Sequence, residues 1–106
     1  MRIDILTIFP SLINSFVNES LIGKAQENGT LEIFAHDLRE GASGPHKAVD
    51  DTPFGGGPGM VLKPDPIFDV VENRNPPRPL YLLSPAGDPF SHLKAVELSK
   101  LDGFSL

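Results

Sequence analysis

Three short apolar runs, each followed by a segment with helical periodicity, constrain the fold of this chain more than any other feature. The runs span residues 2–9, 31–35 and 80–84, and the first has the Ile-rich, β-branched composition of a central strand. A chain that alternates strands with helices forms an α/β layer. We therefore predict an α/β fold with a mostly parallel sheet and flanking helices.

The segments between these runs predict the helices. One helix begins at Pro10 or Ser11 and ends before Asn28 and Gly29, a second spans residues 63–72, and a third runs from a capping Ser91 to residue 100. Residues 104–106 resemble the beginning of another buried strand, so a domain that ended there would be interrupted within an element.

The composition places the chain in a broad class. Its 106 residues are 40% hydrophobic and 22% charged, which is typical of a single soluble domain. No apolar run approaches the roughly 20 residues that span a bilayer, and the N-terminus lacks a signal-peptide cleavage pattern. The sequence therefore predicts a cytoplasmic protein without membrane association.

Charge and cysteine content exclude several kinds of function. The net charge of −5 argues against binding of nucleic acid by the whole surface, although a local patch remains compatible with it. The absence of cysteine excludes disulfides, thiolate metal sites and cysteine nucleophiles. The three histidines, His36, His46 and His92, are too dispersed to predict a metal site, and a magnesium requirement does not follow from these residues.

The stretch AVDDTPFGGGPGMVL lies within a long segment, residues 36–59, that has no convincing periodicity. Such loops are usually functional or mobile. Its glycines match neither a nucleoside-triphosphate loop, which needs Gly-Lys-Ser/Thr, nor the dinucleotide fingerprint spacing. A hydrolase is a weak alternative because there is no Gly-x-Ser-x-Gly motif.

Asp50 and Asp51 suit acid–base chemistry or recognition of base amino groups, but also a solvated or capping role.

A second candidate site follows the third apolar run, at Leu83, Ser84 and Pro85. Open α/β sheets bind ligands in the crevice beyond the carboxyl ends of their strands. The same residues are equally consistent with an ordinary strand-to-helix turn that binds nothing.

Beyond these patterns, residues 46–60, HKAVDDTPFGGGPGM, resemble the signature of the bacterial tRNA (guanine-N1) methyltransferases, the TrmD family of the knotted SPOUT class. Residues 2–10, RIDILTIFP, resemble that family's first strand, and residues 80–87, LYLLSPAG, resemble the strand and turn that contact its methyl donor. The resemblance covers essentially the whole chain but only the first part of a family member.

The resemblance implies transfer of a methyl group from S-adenosylmethionine to N1 of the guanosine 3′ of a tRNA anticodon, which prevents frameshifting. It implies a shared active site in a homodimer. Leu82, Leu83, Ser84 and Pro85 would then bind the adenosine side of the donor. The residues implied to contact the tRNA are Asp50, Gly55, Gly56, Gly57, Pro58 and Gly59. The family often has tyrosine at the position of Phe54, so this chain lacks the tyrosine hydroxyl there.

The resemblance also implies that much of the enzyme lies beyond Leu106. The knot loops, the general-base aspartate and the C-terminal tRNA-binding domain all follow that position in the family. Residues 1–106 are therefore expected to be the N-terminal part of the methyltransferase domain, without its knot and inactive alone. The alternative is a noncatalytic α/β module that binds a nucleotide or a protein through the same loops.

Overall fold

The structure is a computed structural model that describes residues 1–106. The strands are β1 (Arg2–Thr7), β2 (Glu32–Asp37), β3 (Asp50–Asp51), β4 (Val61–Leu62) and β5 (Gly103–Ser105). The helices are α1 (Pro10–Val17), α2 (Ser20–Glu27), α3 (Pro64–Arg74) and α4 (His92–Leu98), with a 3-10 helix at Leu38–Gly41. None of these helices has the length and apolarity needed to cross a membrane.

The main sheet is parallel and has the strand order β2-β1-β5. Arg2 pairs with Glu32 on one side and with Gly103 on the other, which makes β1 the central strand. The predicted α/β fold with a parallel sheet is confirmed. The predicted beginning of a buried strand near the last residues is also confirmed, because all three residues of β5 are buried.

A small buried cluster joins the sheet to the long middle segment. Its members are Leu38, Val49 and Val70, and four half-buried side chains pack against it, namely Leu6, Ile8, Ala42 and Ile67. Leu6 and Ile8 lie at the carboxyl end of β1. The cluster therefore attaches the 3-10 helix, the residue before β3 and helix α3 to one end of the central strand.

The backbones of α3 and the 3-10 helix approach each other closely at Gly41. A β-carbon at Gly41 would lie 2.3 Å from the carbonyl oxygen of Pro66. Since that neighbour is backbone within a helix, it cannot move aside as a flexible side chain would.

We expect Gly41→Ala to lower the free energy of unfolding by about 1–3 kcal/mol, the usual cost of overpacking a tight contact. Urea unfolding followed by circular dichroism measures this difference. Ser43→Ala, at an exposed position two residues away, is the control and should change stability by less than about 0.5 kcal/mol. Equal midpoints for Gly41→Ala and the unmodified chain would contradict the proposed contact.

A buried carboxylate links the two longest strands. The side chain of Asp4 in β1 has no exposed surface. It accepts hydrogen bonds from Arg2 Nε at 2.7 Å and Arg2 Nη2 at 2.9 Å, and its Oδ2 lies 2.6 Å from Nε2 of His36 in β2. Burial alone would raise the pKa of Asp4, but the hydrogen bonds and charges of Arg2 and His36 together hold it below its usual value.

The predicted first helix is divided into α1 and α2. The chain turns at Asn18 and Glu19, and Ser20 has a φ of 54°. A β-carbon at Gly23 would lie 2.4 Å from the carbonyl oxygen of Asn18, so the first turn of α2 passes close to the residue that ends α1. The side-chain amide of Gln26 fastens this turn by donating to the carbonyl of Val17 at 2.6 Å.

The predicted strand at residues 80–84 was wrong. Only Leu80 forms a bridge, to Ser105, and the N–H of Tyr81 donates to the carbonyl of Ser105 at 2.9 Å. The one neighbouring strand, β5, offers a ladder of only three residues. A run of apolar residues favours burial, but an extended segment becomes a strand only where a partner supplies hydrogen bonds.

Candidate functional site

Both predicted site segments lie at the carboxyl edge of the parallel sheet. The base of the β3–β4 hairpin is held there because Val49 packs in the cluster with Leu6 and Ile8. Residues 80–84 run parallel to β5 from the bridge at Leu80, so residues 82–85 continue toward the same edge. This edge is the one at which open α/β sheets bind their ligands.

The first segment is the arm formed by β3, β4 and the loop between them, residues 52–60. Asp50 pairs with Leu62 and Asp51 pairs with Val61 in antiparallel orientation. The N–H of Lys63 donates to the carbonyl of Val49 at 2.7 Å and closes the base of the arm. The segment 36–59, predicted to lack regular structure, therefore contains the end of β2, the 3-10 helix and the first strand of a short hairpin that carries the glycine loop at its end.

Four glycines in this loop have left-handed backbone conformations. Gly55, Gly56, Gly57 and Gly59 have φ values of 82°, 82°, 116° and 88°. No atom lies within 4 Å of a β-carbon built at any of them. The loop therefore needs glycine for its backbone shape and not for internal packing, and its surface remains open to a ligand.

The structure distinguishes the two aspartates, which residue chemistry alone left equivalent and of which the family resemblance singled out Asp50. Asp51 Oδ1 accepts a hydrogen bond from the N–H of Thr52 at 2.8 Å, which is a local capping contact. Asp50 is exposed, and its carboxylate accepts no hydrogen bond within the chain. Both side chains are exposed, but only Asp50 has neither carboxylate oxygen engaged within the chain.

The second segment presents apolar side chains to solvent. Leu82 and Leu83 are 86% and 76% exposed. The hydroxyl oxygen of Ser84 accepts from the N–H of Ala86 at 3.2 Å, and its carbonyl accepts from the N–H of Gly87 at 3.1 Å, so the turn after Pro85 is ordered by Ser84. The backbone groups of Leu82 and Leu83 have no partner in the chain. Apolar surface beside free backbone groups suits a purine ring, whose faces are apolar and whose edges form hydrogen bonds.

Two surface hollows, of 360 Å³ and 490 Å³, are lined by residues outside both segments. The residues that line them include none of the predicted site residues. The first is beside the base of the arm, near Ala48 and Lys63, and the second is at the opposite edge of the sheet, near Arg2 and Asp102. Neither hollow therefore encloses the predicted site residues.

One residue that orders this edge did not stand out in the sequence. Arg39 donates from Nη1 to the carbonyl of Ile8 at 2.7 Å and so joins the 3-10 helix to the end of β1. The side chain of Asp37 accepts from the N–H of Arg39 at 2.9 Å and caps the same helix. The Asp-x-Arg spacing was the available signal, because an aspartate often caps the backbone N–H two residues later.

Comparisons with known proteins agree over nearly the whole chain. Residues 1–105 match the family model described as tRNA (Guanine-1)-methyltransferase TrmD. The chain is 50% identical over 103 residues to the tRNA (guanine-N(1)-)-methyltransferase of Geobacillus kaustophilus, a match that covers 94% of this chain. It is 47% identical over 104 residues to the enzyme of that name from Staphylococcus aureus strain JH9, covering 96% of this chain.

A solved structure shows the same architecture. The crystal structure of tRNA (m1G37) methyltransferase from Aquifex aeolicus superposes with a TM-score of 0.82 at 39% sequence identity, and the match covers 99% of this chain and 49% of that one. The chain spans 42% of the length of each of the two curated relatives.

Proposed function

The chain belongs to the tRNA (guanine-1)-methyltransferase family, and we propose that residues 1–106 are the N-terminal part of a methyltransferase domain that acts on tRNA. The proposed reaction transfers a methyl group from S-adenosylmethionine to N1 of the guanosine 3′ of the anticodon, which prevents frameshifting. The observation that carries this proposal is that the base of the open glycine arm and the start of the segment with the exposed Leu82–Leu83 pair are both anchored at the carboxyl edge of the sheet.

Leu82, Leu83, Ser84 and Pro85 are proposed to bind the adenosine part of the donor. The two leucine side chains are exposed and can pack on the faces of adenine, while their free backbone groups can bind its edge. Ser84 holds the turn that presents them. When bound, the donor supplies a methyl group on a sulfonium, which is reactive enough to alkylate a ring nitrogen.

The arm is proposed to bind the target region of the tRNA. Its open glycines, with Pro58 among them, allow a flat ring to approach the backbone of residues 55–59 closely. The free carboxylate of Asp50 can accept hydrogen bonds from the amino and imino groups of a nearby base. A carboxylate that faces RNA is unfavourable near phosphates, so this contact selects base edges over the RNA backbone.

We further propose that the working enzyme is a cytoplasmic homodimer. The exposed side chains of Leu82 and Leu83 support a site completed by additional surface. The general base is expected outside these residues, so residues 1–106 by themselves should be inactive.

Labelled methyl transfer tests the proposed function. The protein translated from its natural reading frame is compared with residues 1–106 on tRNA transcripts that carry guanosine or adenosine 3′ of the anticodon. We expect transfer only by the natural protein and only to the guanosine transcript. Transfer by residues 1–106 would show that the donor site is complete within them, against the proposal. Absence of transfer by both would favour a noncatalytic nucleotide- or protein-binding module.

A further inference from the structure

The most exposed aromatic ring of the chain lies in the glycine arm. Phe54 has a fractional exposure of 107%, which means that its side chain contacts almost nothing in the protein. It directly precedes Gly55 and follows Pro53, whose carbonyl accepts from the N–H of Gly56 at 3.2 Å. The ring therefore stands on a tight turn at the end of the arm.

The apolar surface of this ring stays in contact with water, which is unfavourable, and the ring is not packed in the core. The buried cluster reaches the arm only at its base, through Val49, and includes none of residues 50–62. A polar residue at position 54 would serve a structural turn equally well. A ligand that covers the ring would remove its apolar surface from water, which stabilises the complex.

The charges around Phe54 indicate which kind of ligand surface covers it. Residues 48–62 contain no Lys, Arg or His, and their two charged side chains are the acidic Asp50 and Asp51. Contact with phosphate requires cationic groups, so this arm is unsuited to the RNA backbone. Lys47 and Lys63 flank this stretch at the base of the arm, and no cation lies over the Phe54 ring. A ring whose face is not covered by a cation is suited to a neutral, flat nucleobase, since stacking on aromatic side chains is a main mode of RNA recognition.

We propose that Phe54 stacks on an unpaired nucleobase of the tRNA anticodon loop and positions that loop at the carboxyl edge of the sheet. This inference rests on the proposed function because it requires an RNA substrate. Phe54 is a positioning residue in this proposal, so it acts on RNA binding and not on the transfer step. The free carboxylate of Asp50, in the same arm, can bind the edge of a base in the same loop.

Three variants of the natural protein separate stacking from other roles. Phe54→Leu keeps an apolar side chain without a flat ring, Phe54→Ala removes it, and Phe54→Tyr keeps the ring. We expect the Leu and Ala variants to weaken binding of an anticodon stem-loop RNA and to raise KM for tRNA about 5- to 150-fold, the factor for losing one base–aromatic stack, with kcat nearly unchanged. Phe54→Tyr should bind like the unmodified protein.

Single abasic nucleotides at the target guanosine and its two neighbours locate the base. One abasic RNA should lose affinity for the unmodified protein but lose no more affinity for Phe54→Leu, because the stack is already absent there. Equal binding by all three variants, alongside normal guanosine-dependent methylation, would overturn the stacking inference and leave the proposed function intact. Absence of both RNA binding and methylation in the unmodified protein would overturn both.

Thermal melting of each variant controls for folding, and sedimentation velocity tests a different occupant of the ring. A change in oligomeric state with Phe54→Leu would show that Phe54 contacts a second copy of the chain, and this result would overturn the inference. If Phe54→Tyr lost as much RNA affinity as Phe54→Leu, the inference would also be overturned, because the tyrosine ring can still stack on a base.

Discussion

Replacing Asp4 by Asn lowers the free energy of unfolding by about 3 kcal/mol, at the lower end of the range for breaking a buried ion pair. Arg2 donates to both carboxylate oxygens, so replacing either oxygen by an amide nitrogen places a donor against one of its N–H groups, and that contact is lost. The lower end applies because the Arg2 side chain is 45% exposed and can turn toward water. Urea unfolding at pH 7 measures the difference.

Glu40→Gln is the matched control for Asp4→Asn. It is the same carboxylate-to-amide change, in a surface pair with Arg74 in which both side chains are about half exposed. Exposed pairs contribute about 0–1 kcal/mol, so this variant should unfold nearly as the unmodified protein does. Equal losses in the two variants would contradict the special role assigned to the buried carboxylate.

The stability that Asp4 contributes also depends on pH in a defined direction. The pKa of Asp4 is lowered in the folded chain, so the folded state favours the ionised carboxylate. This contribution is fully present above the ordinary aspartate pKa of about 4 and is lost as the pH falls through the lower folded value. The stability difference between the unmodified protein and Asp4→Asn should therefore be constant near pH 7 and shrink below about pH 4.

In the protein translated from its natural reading frame, we expect Gly57→Val to lower the proposed methyl transfer by roughly 10- to 100-fold with little change in global stability. Gly57 has a φ of 116°, which a β-branched residue adopts only with a strain of about 1–3 kcal/mol. The loop around it is open, so this strain is relieved by a local change of the arm and not by unfolding of the core. The proposed tRNA-binding shape of the loop is then populated only in a minor fraction of molecules.

Gly29→Val is the matched control for Gly57→Val. Gly29 also has a positive φ, 77°, and open surroundings, but it lies in the turn between α2 and β2 and outside both candidate segments. Methyl-transfer kinetics and thermal melting on both variants check the prediction. Normal transfer by Gly57→Val, or an equal loss in Gly29→Val, would contradict a functional role for the arm's backbone shape.

The local sequence predicted some elements of the structure and not others. The strand at β1 was recognisable from its apolar, β-branched run, and the cap of α4 from Ser91, which accepts from the N–H of Lys94 at 3.2 Å. The division of the first helix depends on Gly23, which allows α2 to approach Asn18. Such a contact between non-adjacent backbones leaves no periodic signal in the chain.

The sequence likewise indicated some features of the candidate site and not others. The glycines at 55–57 and 59 and the position of Leu83 at the end of an apolar run were visible as patterns. The different roles of Asp50 and Asp51 were not, since adjacent carboxylates have identical local chemistry and only the hydrogen bond to Thr52 separates them. Whether these residues bind donor and tRNA stays a prediction that the experiments above test.

By itself, the sequence determined the α/β class and the family, because alternating apolar periods and a long contiguous motif are properties of neighbouring residues. Only the tertiary structure decided that residues 82–84 are not a strand, that His36 belongs to β2 and pairs with Asp4, and that the glycine arm is anchored through Val49. Each of these outcomes depends on which distant segment supplies a hydrogen-bond partner or a packing surface. Residues far apart in the chain meet only when the whole sheet forms, so local patterns cannot specify them.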